Sequence, residues 1–237
     1  MRRWLVLAAL ALLPGLAAAA PDLERVEASI TRRTNDFRAE LGLGLLEANA
    51  ALDRAAQEFA EYMARTDRYG HTADGKEPSD RARARGYQFC LVSENISYQF
   101  STEPYGTEDL ARRYVEGWKE SPGHRRNMVE PHVVHMANAV VRSGKSGRYY
   151  AVQMFGRPRE RSIEFRVANA ARAAVRYRVG DKDFSLGTGQ ERVHTVCTPP
   201  AVTFANATGS EGKTFRPVGG ERLRVEGDKR LVVRSDR

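Results

Sequence analysis

The period of the apolar residues changes partway along this 237-residue chain, and that change constrains the fold more than any other feature. Over residues 22–41, Leu23, Val26, Ile30, Phe37 and Leu41 recur at spacings of three, four or seven, the signature of an amphipathic helix that Gly42 and Gly44 end. Asn49 can cap a second helix with Leu52, Ala56, Phe59, Ala60 and Met63 on one face, stopping before Gly70. A short helical turn is expected from Ser79 to Gly86. A third long helix opens at Thr107 and carries Leu110, Tyr114, Val115 and Trp118. Ser121-Pro122-Gly123 breaks it.

From about Met136 the alternation becomes that of strands. Residues 139–142 and 148–155 flank the turn Ser143-Gly144-Lys145-Ser146-Gly147, and residues 156–160 form a credible linker. Beyond it, Ile163, Phe165 and Val167, then Val175, Tyr177 and Val179, then Leu223 and Val225, then Leu231 and Val233 alternate, with a tight turn at Gly227-Asp228. Short strands at this spacing indicate a small antiparallel sandwich or barrel. The expected class is therefore α+β, with a helix-rich unit over 22–157 and a small all-β unit over 161–237.

Charge follows the same division. Residues 21–160 carry 21 basic and 21 acidic side chains, whereas residues 161–237 carry 15 and 9. Residues 1–19 read as an export signal: Arg2 and Arg3, an apolar stretch from Trp4 to Leu12 too short to span a bilayer, then alanines that favour a cut after Ala19. No later stretch has the length of a transmembrane segment, and no cysteine near the cut could take a lipid anchor. The mature protein is expected outside the cytoplasm, periplasmic or extracellular. Nucleic acid is an improbable partner for an exported chain without a recognition motif. The two cysteines, Cys90 and Cys197, fall one in each unit. In an oxidising compartment they either form a disulfide between the units or remain two separate buried thiols.

Three short strings hold the chemistry: His71 in Tyr-Gly-His-Thr, Glu94 in Ser-Glu-Asn-Ile, and His124 in Ser-Pro-Gly-His-Arg-Arg-Asn-Met. Two imidazoles and a carboxylate form the ligand set of an open zinc site and also suffice for general acid–base work. The bland reading of each histidine is a hydrogen-bonded residue lining a wet groove. His132 and His135 form a His-x-x-His pair, but Pro131 and the β-branched neighbours argue against the helix that would make it a chelate. Cys90, four residues before Glu94, invites a nucleophile reading that export disfavours. Common hydrolase and metalloprotease motifs are absent. Asn95-Ile96-Ser97 and Asn206-Ala207-Thr208 fit the glycosylation triplet but read as chance matches. Tyr98, Phe100 and Tyr105 form either a ligand-gripping lip or ordinary loop anchors. Arg176, Arg178, Arg222, Arg224 and Arg230 could meet anionic envelope polymers or lipid head groups, or simply solvate strand faces.

Taken in order, these strings resemble the CAP superfamily of cysteine-rich secretory, antigen 5 and pathogenesis-related 1 proteins, most closely its bacterial SCP-like branch. The match runs through residues 34–38, Leu45-Leu46, Gly70-His71-Thr72, Arg81, Gly86-Tyr87, Ser93-Glu94-Asn95-Ile96, Trp118, residues 121–125 and residues 149–156. The resemblance implies an α-β-α sandwich with a cleft holding two histidines and two acids able to bind a divalent cation, often zinc. His71, Glu94 and His124 match three of these four, and Ser121 stands where the fourth acid would be; Asn95 and His132 are candidate cleft-lining residues. It leaves three classes of function: a cleft-bearing protein binding a small or lipid-like ligand, with zinc, another divalent cation or no cofactor; a metal-assisted hydrolase of peptide or cell-wall bonds; and a structural envelope protein. Whether the chain is an enzyme stays open at this level.

Overall fold

The computed structural model describes residues 20–205, 213–227 and 230–235. The expected signal over 1–19, Asn206-Ala207-Thr208 and Asp228 lie outside them. Helix α1 (Leu23–Glu40) starts where Asp22 accepts a hydrogen bond from the Arg25 N–H at 3.2 Å, and it buries Val26, Ile30 and Phe37. Helix α2 (Ala50–Thr66) is capped by the Asn49 carboxamide oxygen, which accepts from the N–H groups of Ala51 and Leu52 at 3.0 and 3.3 Å. It ends on Asp67, which is left-handed at φ 53°. The Asp67 carboxylate accepts from the Ser146 and Tyr150 hydroxyls, and these bonds hold a conformation that a non-glycine residue rarely adopts. Helix α3 (Pro78–Ala84) begins at a capping box between Glu77 and Asp80.

Strand β2 (Phe89–Gln99) follows, well before the point at which the apolar period changes. Helix α4 (Thr107–Glu120) buries Leu110, Ala111, Tyr114, Val115 and Trp118. A seven-residue helix, α5 (Pro122–Met128), then holds His124, which the sequence places only after a break. Ser121-Pro122 does end α4. Yet a proline in the first turn lacks only an N–H that has no intrahelical partner there, so the chain restarts at once.

Strands β1 (Glu47–Ala48), β3 (His135–Arg142) and β4 (Tyr149–Pro158) join β2 in a first sheet of order β1-β3-β4-β2. Strand β1 is parallel to β3, and the other pairings are antiparallel. Strand β4 is buried on both faces. Tyr149, Ala151 and Phe155 pack with α1 and α4, while Tyr150, Val152 and Met154 pack with α2 and Ala82 of α3. Helices therefore cover the sheet on both sides, an α-β-α arrangement. The expected linker is not free: Gly156 and Arg157 continue β4 opposite Val92 and Leu91, Pro158 faces Phe89, and Arg159–Arg161 form a single 3-10 turn. Gly156 must be glycine, because a Cβ there would meet the Tyr87 hydroxyl at 2.3 Å.

The remaining strands surround a third apolar cluster that includes Phe165, Val167, Tyr177, Val202, Leu223 and Val225. Strands β5 (Ile163–Asn169), β8 (Glu191–Val196), β10 (Glu221–Val225) and β11 (Leu231–Ser235) form a sheet of order β11-β10-β5-β8. Strands β6 (Val175–Val179), β7 (Lys182–Leu186) and β9 (Val202–Phe204) form a second sheet of order β7-β6-β9. One pairing departs from the antiparallel expectation: β10 runs parallel to β5. A parallel pair needs a long crossover, and the three-stranded sheet lies within the chain that makes it. Cys90 and Cys197 form a disulfide, with Cα atoms 5.3 Å apart, tying β2 to the end of β8.

Candidate functional site

Strand β2 is an edge of the first sheet, and side chains from both helical layers cover its outward backbone. The Glu94 carbonyl accepts from the Asn127 amide at 3.1 Å; the Ile96 carbonyl accepts from the Tyr69 hydroxyl at 3.1 Å and the Trp118 indole at 3.4 Å. These contacts protect an otherwise exposed edge. They also bring two separate segments to the same strand: the loop after α2, which carries His71, and α5, which carries His124.

The Glu94 side chain is fully buried, a costly place for a carboxylate without partners. Arg81 supplies them, one guanidinium nitrogen reaching both carboxylate oxygens at 3.1 and 2.9 Å. Arg81 is itself 95% buried, binds Asp74 at 2.8 Å, donates to the carbonyls of Lys76 and His71, and lies 3.6 Å over the Phe59 ring. His71 Nδ1 stands 2.9 Å from Glu94 Oε1, with its side chain 48% exposed. A carboxylate facing a guanidinium accepts hydrogen bonds, so the proton belongs on Nδ1 and the lone pair of Nε2 points away from Glu94.

His124 is positioned by a buried polar chain. Gln153 donates to Thr34 and Asn138, and its oxygen accepts from Asn95; Asn95 also donates to the His124 carbonyl at 3.2 Å, while its own oxygen accepts from Asn127 at 2.9 Å. Burial, and then the facing His71 imidazole, hold His124 below the ordinary histidine pKa. His71, Glu94 and His124 thus share the β2 edge, with Ser121 at the N-terminal boundary of the helix that carries His124, without a side-chain capping bond, and with Asn95 buried.

The other candidates fall elsewhere. His132 precedes β3, two strands from Glu94, and its carbonyl accepts from Arg157. The His135 ring meets the Tyr87 hydroxyl at 2.8 Å, so the His-x-x-His pair is no chelate. Cys90 is in the disulfide and is no nucleophile. Tyr105 is buried, whereas Tyr98 and Phe100 are exposed, and Tyr69 packs edge-on against Tyr98 at 5.2 Å. Of the strand arginines, Arg178, Arg222 and Arg224 are paired with Asp183, Glu191 and Glu226. Those pairings reduce the basic face that an anionic polymer would meet.

A three-ligand metal centre does not fit this geometry. Both Glu94 oxygens are taken by Arg81, with Oε1 also bonded to His71, and Ser121 supplies no carboxylate. Among the described residues, no group of three or more His, Cys, Asp or Glu side chains is arranged to hold a metal. A cavity of about 720 Å³ lies elsewhere, between α1 and α2 near β3, lined by Glu24, Glu27, Asp53, Glu58 and Glu61 among others. Arg81, Tyr69, Asn127 and Gln153 carry roles that apolar periodicity does not signal. Their contacts span 13 to 119 residues of sequence, so only the family strings touch on any of them.

The family model described as CAP, the Cysteine-rich secretory protein family, matches residues 31–155. The Bacillus subtilis (strain 168) protein YkwD is 25% identical over 119 residues, which is 50% of this chain and 43% of YkwD, so the match spans under half of that relative. Among solved structures, an outer surface protein from Borrelia burgdorferi superposes with a TM-score of 0.50 at 20% identity, over 57% of this chain and 93% of its own. An extracellular protein containing an SCP domain from Bacillus anthracis gives 0.49 at 21% identity, over 63% and 45%.

Proposed function

This chain belongs to the cysteine-rich secretory protein (CAP) family, and from that premise we propose that it is an exported SCP-like protein whose open cleft binds a small or lipid-like ligand. Residues 22–157 carry the cleft, and residues 161–237 form a basic companion unit. Export rests on the leader-like residues 1–19 and on the outer-surface description of the Borrelia burgdorferi relative. No helix among the described residues is long and apolar enough to cross a membrane.

The observation that carries the binding reading is the Arg81–Glu94–His71 array beside an exposed aromatic strip. Arg81 occupies the carboxylate, which leaves the His71 Nε2 lone pair to accept from a ligand hydroxyl, amide or acid proton. Four residues along β2 from Glu94, about 13 Å at strand rise, Tyr98 exposes aromatic surface with Tyr69 beside it, and Phe100 is exposed just past the end of the strand. A polar end and an apolar end at that separation suit an amphiphile laid along the strand edge.

A second reading has one observation in its favour: an imidazole oriented by a buried carboxylate is also the arrangement of a general base acting on water. The test uses a chain beginning at residue 20 and a fluorescent medium-chain fatty amide, whose N–H can donate to His71, below its micelle concentration. Binding weakened at least about tenfold by His71→Ala and by Tyr98→Ala, roughly 1.4 kcal/mol each, is expected. Unchanged affinity in both variants, or peptide or glycan cleavage lost with His71 and His124, would overturn it in favour of another class.

A further inference from the structure

A cavity of about 480 Å³ lies where the two units meet, lined by Arg83, Tyr87, Gln88, Phe89, Cys90, Arg159, Ser162, Thr195, Val196 and Cys197. It is chemically the reverse of the large acidic cavity, since no carboxylate lines it. Two arginines, a glutamine, a serine and a threonine are among its lining residues, together with Tyr87, Phe89, Val196 and the disulfide. Four elements build it: the end of α3, the start of β2, the 3-10 turn at Arg159–Arg161, and the end of β8. The Arg159 N–H donates to the Gln88 carbonyl at 3.0 Å, and the Cys90–Cys197 bond fixes the opposite wall.

We infer that this junction cavity is a binding site for a phosphate group carried on a small organic body. Arginine suits a tetrahedral oxyanion because its planar fork presents several fixed donors, and the Ser162 and Thr195 hydroxyls add neutral ones. The Arg83 guanidinium stands 5.2 Å over the Phe89 ring, which restrains it at the cavity wall. Its one acidic partner, Asp80 at 2.9 Å, forms an exposed pair, with side chains 59% and 50% accessible. An exposed pair of this kind is weak, so a bound phosphate can displace it. The volume exceeds that of inorganic phosphate and leaves room for a few carbon atoms against Phe89 and Val196. The site is separate from the His71–His124 cleft and does not depend on the reading given to that cleft.

Calorimetry of the disulfide-bonded chain beginning at residue 20, titrated with glycerol 3-phosphate, tests the site. Flotation with phosphatidylcholine vesicles, with and without phosphatidic acid, distinguishes a free phosphomonoester from a lipid head group. Saturable binding in either arm is expected to weaken at least about tenfold in Arg83→Gln with Arg159→Gln and to be unchanged in His71→Ala. Because both arginines are exposed, the double variant is expected to keep the parent's thermal midpoint. No binding in either arm, or binding that survives the double substitution, would overturn the site.

Discussion

Glu94 has no contact with solvent, and Arg81 is the cation that meets both its oxygens. Removing one partner of a buried pair leaves the other charge uncompensated, which costs about 3–5 kcal/mol, whereas replacing both by apolar residues costs far less. Arg81→Met should therefore lower unfolding stability by at least that amount in urea titrations, and Arg81→Met with Glu94→Leu should recover the part due to Glu94 but not the part due to Asp74, which also loses its cation. An equal loss in the single and double variants would refute the pairing as the cause. Protonation gives a second residue-level prediction. His124 is held low by burial and then by His71; His194 is held low by burial and then by Arg192, with Tyr177 bonded to its Nε2 at 2.9 Å. A folded-state value below the unfolded one, near 6.5, means that the unfolded chain takes up protons first as the pH falls. The stability is thus complete above about 6.5 and declines below it, down through the folded values. Urea midpoints measured at about pH 7.5 and 5 should show this decline, and it should be smaller in His194→Asn; a decline of equal size would remove His194 from the account.

At the scale of elements, α5 is anchored by the buried Met128 and by polar contacts to the β2 edge, of which Asn127 makes two, to the Glu94 carbonyl and to Asn95. Asn127→Ala should cost about 1–3 kcal/mol by leaving buried acceptors unsatisfied. It should also shift the His124 imidazole resonances in NMR spectra while leaving those of His194 in place; unperturbed His124 resonances would show that α5 is seated by other means. The same two elements mark where the sequence is legible and where it is not. The long helices are readable because each buries one stripe, as in Leu52, Ala56, Phe59, Ala60 and Met63 of α2. Strand β2 is not readable, because Glu94 and Asn95 at its centre spend their side chains on Arg81, His71, Gln153 and Asn127 instead of on an apolar face. Helix α5 is too short for a period and opens on a proline. His71, Glu94, His124 and Arg81 all fall in the family match, but the buried pairing that gives Arg81 its role is visible only in the fold.

The whole molecule joins two sets of apolar clusters through the 3-10 turn that follows β4 and through one disulfide. Cys90 and Cys197 are 107 residues apart in sequence, but Pro158 already pairs with Phe89 beside Cys90. While the helix-bearing unit stays folded, the loop that the disulfide closes therefore runs from Pro158 to Cys197, roughly 40 residues. Loop entropy depends on the logarithm of length, so this shorter loop still corresponds to about 4 kcal/mol, against about 4.7 for one of 100 residues. That stabilisation falls on β5 to β8, which are inside the loop, and not on the sheet between the helices. Reduction should accordingly lower the unfolding midpoint of the β unit and leave the other nearly unchanged. Two probes separate them: the chain has two tryptophans, Trp4 and Trp118, so from residue 20 onward Trp118 of α4 is the only one. In the reduced protein, far-ultraviolet circular dichroism should show a first transition at lower denaturant that Trp118 fluorescence does not report, and Cys90→Ser with Cys197→Ser should reproduce it. Fluorescence and dichroism curves that move together on reduction would mean that the units unfold as one, with the disulfide stabilising the whole chain.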